Sequence, residues 1–264
     1  MLGPMSASIY DYPAIFRAVH MEEPHEIAEE VAFLKKVWAR HLKRRVRKVL
    51  DVACGDSPHG HLLARDGIEV VGVDRSPVMI AAGQAEAGGG INGVRFYRRR
   101  IENFRIPERD CDAAIFMSET FPVMTDNPSL ITHFKSVARV MRSGGLYCID
   151  VDRHDGVFTG RRRELWRRRK VRVGTTTVEV REYKCQMPWY AGGWIYELRC
   201  AIRFPDRVVR TRDLVPVRYT LPDHLEFAAR ASGEFELIAS YTDLSFRMPL
   251  AKCDRRWLGV LRRS

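Results

Sequence analysis

The most constraining feature of this chain is a rhythm that repeats between residues 48 and 151. A short, β-branched apolar run gives way to a proline-opened stretch at helical spacing, and then the pattern starts again. Lys48–Ala53 reads as the first strand, and Ser57-Pro58 caps a helix through about Asp66. Ile68–Asp74 is the second strand, followed by a Ser76-Pro77 cap, a helix to about Ala87 and the loop Gly88-Gly89-Gly90. Val94–Tyr97 and Cys111–Met117 supply the third and fourth strands. Asn127-Pro128 caps a helix to about Arg142 that Gly144-Gly145 ends, and Leu146–Val151 is the fifth strand. Strand-then-helix units in succession predict a parallel sheet with helices on both faces. A helix over residues 24–43 precedes them, with Ile27, Val31, Leu34, Trp38 and Leu42 on one stripe.

The rhythm changes after Asp152. Val171–Val173, Thr176–Lys184, Trp194–Phe204 and Arg207–Val215 read as antiparallel strands. Helical spacing returns at Thr220-Leu-Pro-Asp223, which resembles a capping box, and runs to Gly233. Phe235–Tyr241 and Arg256–Leu261 close the chain as strands. The expected organisation is a Rossmann-like domain over 1–152 and 216–264, interrupted by an antiparallel β insertion over 153–215 that serves as a substrate lid or wall. Charge follows this division. Of the net +11, residues 153–215 hold fourteen Arg and two Lys against seven acids, a surplus of nine. The rest of the chain is close to neutral.

Other function classes are limited by composition. No run approaches the eighteen or so apolar residues of a membrane span, and the N-terminus lacks the basic start and apolar run of a secretory signal. A cytoplasmic protein is the expectation. The six cysteines are dispersed, with no C-x-x-C pair, so neither a zinc site nor a disulfide framework is indicated. A homodimer is left open.

In open parallel sheets, ligands bind at the carboxyl ends of the strands beside the point where strand order reverses. The loop after the first strand reads Asp51-Val-Ala-Cys-Gly55-Asp56-Ser57-Pro58, with one glycine and a helix N-terminus immediately following. The second strand ends in Asp74, a place where a carboxylate accepts from ribose hydroxyls. These features call for a nucleoside-containing ligand. A dinucleotide needs G-x-G-x-x-G around its pyrophosphate, whereas S-adenosylmethionine carries no phosphate and is cationic. An acidic loop with Asp51 and Asp56 suits the second better.

VLDVACGDSPHG followed by VVGVDRSPVMI resembles motifs I and II of class I S-adenosylmethionine-dependent methyltransferases. CDAAIFMSETF and RVMRSGGLYCIDV resemble the motifs of the fourth and fifth strands. The layout is similar to small-molecule members with an antiparallel insertion after the fifth strand, amino-sugar N-methyltransferases among them. The resemblance implies a mainly parallel seven-stranded sheet. It places Asp51, Ala53, Cys54 and Gly55 at the methionine end of S-adenosylmethionine, and Asp74, with Arg75 and Met79 beside it, at the ribose. Ile101 and Glu102 would flank the adenine, Met117 and Ser118 the sulfonium, and Tyr12 or Tyr10 part of a lid. Three positions depart from the pattern. Ala53 and Ser57 stand where glycines are usual, Arg100 where an aspartate often stands, and Val123 where some N-methyltransferases carry a histidine.

Methyl transfer needs alignment and exclusion of water more than acid–base chemistry. Glu119, after the fourth strand, is a candidate base. Asp150, Asp152 and His154 alternate along the fifth strand, which gives His154 a candidate catalytic role. A polar strand end is favoured there over a divalent-metal site. His59 and His61 read as helix surface or cap, and Met187-Pro-Trp-Tyr190 with Trp194 as core of the insertion. The arginine runs 161–163 and 167–170 read first as a solvated helical face. Recognition of an anionic small substrate comes second, and contact with a nucleic-acid backbone third. The expected acceptor is a small molecule, methylated on N or O. Rivals are an RNA or protein methyltransferase docking through the arginine-rich insertion, and a non-catalytic protein that binds the cofactor or a partner.

Overall fold

The computed structural model describes residues 7–20, 24–88, 93–152, 162–187, 192–247 and 256–264. In chain order, a 3-10 turn over Ile9–Asp11 leads into α1 (Pro13–His20) and α2 (Pro24–His41). Then come β1 (Lys48–Val52), α3 (Pro58–Arg65), β2 (Glu69–Asp74), α4 (Pro77–Gly88), β3 (Val94–Arg98), β4 (Cys111–Phe116), α5 (Asn127–Ala138) and β5 (Met141–Asp152). β6 (Arg163–Val173), β7 (Thr176–Gln186), β8 (Gly193–Arg203) and β9 (Val208–Arg218) follow. The chain closes with α6 (Pro222–Ser232), β10 (Phe235–Thr242) and β11 (Arg256–Arg263). Among the described residues, no helix is long and apolar enough to cross a membrane.

These elements form two compact units. One contains residues 25–154 and 220–264, the other residues 1–24 and 155–219. The N-terminal residues, expected with the Rossmann-like domain, thus group with the antiparallel strands.

The larger unit holds a seven-stranded sheet in the order β3-β2-β1-β4-β5-β11-β10. All neighbours are parallel except β11, which runs antiparallel to both β5 and β10. β1 and β4 are centre strands covered on both faces, which is why they read as continuous apolar runs. Strand order reverses between β1 and β4, so the ligand crevice of such a sheet lies at their carboxyl ends.

Several local expectations are corrected. The helix cap before α5 is Asp126, whose side chain accepts from the Ser129 amide at 2.8 Å, one residue earlier than expected. Gly144-Gly145 do not end that helix, which stops at Ala138; they lie inside β5. Gly145 is required there because an added Cβ would come within 3.0 Å of the Asp112 carbonyl and 2.9 Å of the Arg142 carbonyl. α6 starts from Leu221 rather than from a Thr220 capping box, and Gly233 closes it at φ +75°.

The smaller unit is a four-stranded antiparallel sheet in the order β6-β7-β8-β9. Arg163 and the run 167–170, expected on a helix, lie instead on β6, where Val171 and Val173 follow the period of a strand; Arg161 lies outside the described residues. One face carries Val178, Val180, Leu198, Cys200 and Ile202 and is covered by Ile9, Ile15 and Val19. Ser8 Oγ donates to Asp213 at 2.6 Å and the Ile9 amide to the same carboxylate at 3.1 Å, fixing the N-terminal segment on that face. Met187 and Trp194 are buried as expected of core, while residues 188–190 lie outside the described residues.

Candidate functional site

The β1–α3 loop turns on three left-handed residues in five: Ala53 at φ +53°, Gly55 at φ +55° and Ser57 at φ +57°. Ala53 and Ser57 therefore adopt the backbone conformation that glycine would favour, at a cost of about 1–2 kcal/mol each. Strain of this kind persists only where surrounding contacts over-determine it, and those contacts are present. Ser57 Oγ donates to the Asp51 carboxylate at 2.6 Å, the Ser57 amide to the Cys54 carbonyl at 2.7 Å, and the Cys54 amide to the Val73 carbonyl at 3.1 Å. Ser57 is not the side-chain cap of α3; its hydroxyl is spent on Asp51. At Gly55 a side chain would add left-handed strain, and its Cβ, 3.2 Å from Met79 Cε, would push that methionine aside by a few tenths of an ångström.

Asp74, half-buried at the end of β2, ties this loop to the next. Its carboxylate accepts from the Gly55 amide at 2.9 Å and from the Ser76 amide at 2.7 Å. Each carboxylate oxygen keeps acceptor capacity for a further donor. Asp51 is buried, and burial pushes its carboxyl up to about 6, helped by Asp74 and Asp56 and opposed by His59 and the Ser57 hydroxyl. Three carboxylates thus meet around one backbone turn, an arrangement that disfavours an anion and favours a cation.

Behind Asp51 runs a chain of buried charge. His59 Nε2 is hydrogen-bonded to Glu30, whose other oxygen accepts from Arg256 Nη1 at 2.5 Å; the same nitrogen lies 3.4 Å from Asp150. Burial lowers the His59 imidazole, but its bond to Glu30 and the nearby carboxylates outweigh this and leave it raised. Burial pushes Asp150 up to about 7, against the pull of Arg256 and with a contribution from Glu119. His59 and His61, expected near a helix surface, are both buried. His61 packs 6.1 Å from Phe96.

The loop after β3 is fixed from beneath. Burial lowers His133 to about 4, so the ring is neutral. A carbonyl only accepts, so Nδ1 carries the proton and donates to the Ile101 carbonyl at 2.7 Å. Nε2 then accepts from the Tyr147 hydroxyl at 2.8 Å.

Most of the anticipated residues gather at the carboxyl ends of β1, β2 and β4 or in the loop after β3. Ala53 and Gly55 are half-buried in the turn, with Cys54 buried between them and Met79 buried beneath Gly55. Arg75 is exposed after Asp74, and Glu102 pairs with Arg100 at 2.8 Å, so the arginine in the aspartate's usual place is neutralised. Met117 is buried, while Ser118 (φ +58°) and Glu119 (φ +55°) form an exposed left-handed pair beyond β4. Tyr12 belongs to the smaller unit, its ring 5.9 Å from Phe204, and Tyr10 lies there with its ring 4.8 Å from Phe16. His154 lies outside the described residues.

Sequence reasoning missed Glu30, Arg256 and His133. Glu30 had a legible signal, since it stands between Ile27 and Leu34 on the apolar stripe of α2. Among the described residues, no group of three or more His, Cys, Asp or Glu is placed to hold a metal ion. Asp150 faces a guanidinium instead.

Residues 49–145 match a family model described as a methyltransferase domain. The protein YqeM of Bacillus subtilis (strain 168), which is named provisionally as a methyltransferase, is 27% identical over 104 residues, covering 39% of this chain and 42% of its own length. The chain spans about half the length of the curated relatives it matches. Among solved structures, the sugar N-methyltransferase KedS8 from Streptoalloteichus sp. ATCC 53650 superposes with a TM-score of 0.75 at 20% identity. That match covers 100% of this chain and 96% of that one. CalS10, an amino pentose methyltransferase from Micromonospora echinaspora solved with S-adenosylmethionine bound, gives 0.70 at 16% identity over 100% of both chains. The fold is that of the Rossmann-like S-adenosylmethionine-dependent methyltransferases.

Proposed function

We propose that this chain, which carries a methyltransferase domain over residues 49–145, transfers a methyl group from S-adenosylmethionine to a nitrogen or oxygen of a small-molecule acceptor. The observation that carries this reading is the β1–α3 turn. It keeps the left-handed backbone of a nucleoside-binding loop but surrounds it with Asp51, Asp56 and Asp74. A pyrophosphate would meet three carboxylates there, whereas a cationic donor meets complementary charge. The names of the structural neighbours, which include a sugar N- and an amino pentose methyltransferase, support the small-molecule class.

When bound, the donor supplies a methyl on a sulfonium whose departure as a neutral thioether needs no general acid. The chain's own residues hold and orient. Asp74 accepts from the ribose hydroxyls, Asp51 and Gly55 hold the amino-acid end, and Ile101, fixed by His133, flanks the adenine. Met117 and Ser118 border the sulfonium. Glu119 stands next in sequence and receives the acceptor's proton, with Asp150 as the buried carboxylate behind it. His154 shares this acceptor-side role, and residues 153–215 take part in acceptor selection.

Calorimetric titration with S-adenosylmethionine and, separately, NAD tests the reading. Micromolar binding of the methyl donor alone is expected, weakened about tenfold or more in Asp74→Ala, a loss of about 1.4 kcal/mol. Asp74→Asn, which retains an acceptor for the Gly55 amide, separates loss of the ligand contact from collapse of the loop. Failure of the wild-type protein to bind the methyl donor overturns the proposal.

A further inference from the structure

The face of the antiparallel sheet opposite Val178 and Val180 carries a row that no methyl-transfer role accounts for. Arg168 of β6 pairs with Arg181 of β7, Arg181 with Arg199 of β8, and Arg199 with Arg212 of β9. Four arginines therefore lie directly opposite one another across every strand of the sheet. At about 4.8 Å between strands the row is roughly 14 Å long. Like charges placed directly opposite one another destabilise a sheet, so the row is a cost that the unit bears. All four side chains are exposed, in contrast to the alternate positions, which pack against Ile9, Ile15 and Val19.

Neutralisation within the face is partial. Arg199 and Arg212 reach Glu197 at 2.7 Å, as does Arg163 from the edge strand. Glu197 is buried beneath them and its carboxyl is held down at about 2; burial raises it, but the bonds from Arg199, Arg212 and Arg163 prevail. Arg168 and Arg181 form no ion pair among the described residues, nor do Arg172 and Arg210 in the flanking rows of the same face; Lys170 stands opposite Glu179, which Arg203 engages at 3.3 Å.

We propose that this face binds the phosphodiester backbone of single-stranded nucleic acid, laid across the strands along the arginine row. A line of guanidinium groups at strand spacing matches a linear polyanion, and the planar fork of arginine suits phosphate oxygens better than a lysine ammonium would. A second copy of the chain on a two-fold axis would bring arginine row against arginine row. An anionic membrane is the poorer fit, because the exposed apolar side chains of this face form no continuous patch to insert: Leu165 and Leu214 stand at opposite ends of the neighbouring row with Tyr183 and Glu197 between them, and Val208 stands beyond Arg210 and Arg212 on β9. The inference does not depend on the methyl-transfer reading.

Fluorescence anisotropy of the full chain with a labelled oligouridylate of about twenty nucleotides, titrated between about 50 and 200 mM salt, tests it. If four phosphates are engaged, the slope of log affinity against log salt is about −3, at roughly −0.7 per phosphate on a single strand. The double variant Arg168→Gln/Arg181→Gln moves that slope towards zero by about 1.4 and weakens binding at least tenfold, while Arg139→Gln on the other unit changes neither. Melting curves of the double variant that match or exceed the wild type show that the sheet is intact. Four results overturn the proposal: no anisotropy change at low salt, undiminished binding by the double variant, equal competition by a nucleoside diphosphate, and sedimentation with phosphatidylglycerol vesicles in the absence of oligonucleotide binding. The last two reassign the face to a small phosphate ligand and to a membrane surface, respectively.

Discussion

At the scale of single residues, the site depends on Ser57 making a contact that its position does not advertise. Ser-Pro before a helical run is the usual signature of a cap, and that expectation put the hydroxyl on the α3 amides. A left-handed Ser57 cannot present its side chain that way; it turns back to Asp51 at 2.6 Å. The signal was ambiguous because the same dipeptide serves an extended cap and a left-handed turn, and only tertiary packing chooses between them. Ser57→Ala removes an O–H donor from a buried carboxylate, which costs about 1–3 kcal/mol. The penalty should be largest at pH 8, where Asp51 is ionised, and should shrink below about pH 5, where the neutral carboxyl has less need of the donor. Urea denaturation at the two pH values reads this directly. An equal loss at both would mean that the hydroxyl supports packing rather than charge.

At the scale of elements, the parallel sheet was legible almost strand by strand, because apolar runs buried on both faces have a simple signature. What escaped was what joins the elements. α2, α3, β5 and β11 are pinned together by Glu30, His59, Asp150 and Arg256, residues separated by as many as 226 positions in the chain. Nothing local marks such partners except a carboxylate in an apolar stripe and a cation at the mouth of an apolar strand. The run on β6 misled for a related reason. Its arginines sit on both sides of an irregularity between Leu165 and Arg167, which breaks the two-residue period that would have identified a strand. Breaking the buried network should be costly. Arg256→Ala leaves Glu30 and Asp150 without their shared cation, and a loss of about 3–5 kcal/mol is expected. Arg256→Met, which fills the volume but not the charge, should cost as much near neutral pH and recover part of the loss in acid, where the carboxylates are protonated. Chemical denaturation of both variants across pH checks the pairing; a loss that does not change with pH in Arg256→Met would show that the charge contributes nothing.

At the scale of the whole molecule, two raised carboxyls give the larger unit a pH dependence of definite sign. Asp51 stands at about 6 and Asp150 at about 7, against an ordinary value of 3.8. The folded state therefore holds protons that the unfolded state has released, and stability falls as pH rises from about 4 to about 7 through these two groups. A cationic ligand reverses the preference at Asp51. An opposite charge within about 4–6 Å lowers a carboxyl by about 1–3 units, so binding of S-adenosylmethionine should expel a proton wherever the ligand-free protein still holds one. His59, Asp56 and Asp74 are the other charges acting on that carboxyl, and all are present in both states. The affinity for S-adenosylmethionine should accordingly rise with pH between about 5 and 6.5 and then level off. Calorimetry at about pH 5.5 in two buffers of different ionisation enthalpy should show heats that differ by a fraction of one proton released per site. In Asp51→Asn that difference should vanish while binding persists in weakened form. Heats independent of buffer in the wild type would mean that the donor's charge is met elsewhere, and the role of Asp51 would shrink to holding the loop through Ser57. A proton release that survives in Asp51→Asn would move the titrating group along the charge chain to Asp150, and with it the point at which the larger unit senses its ligand.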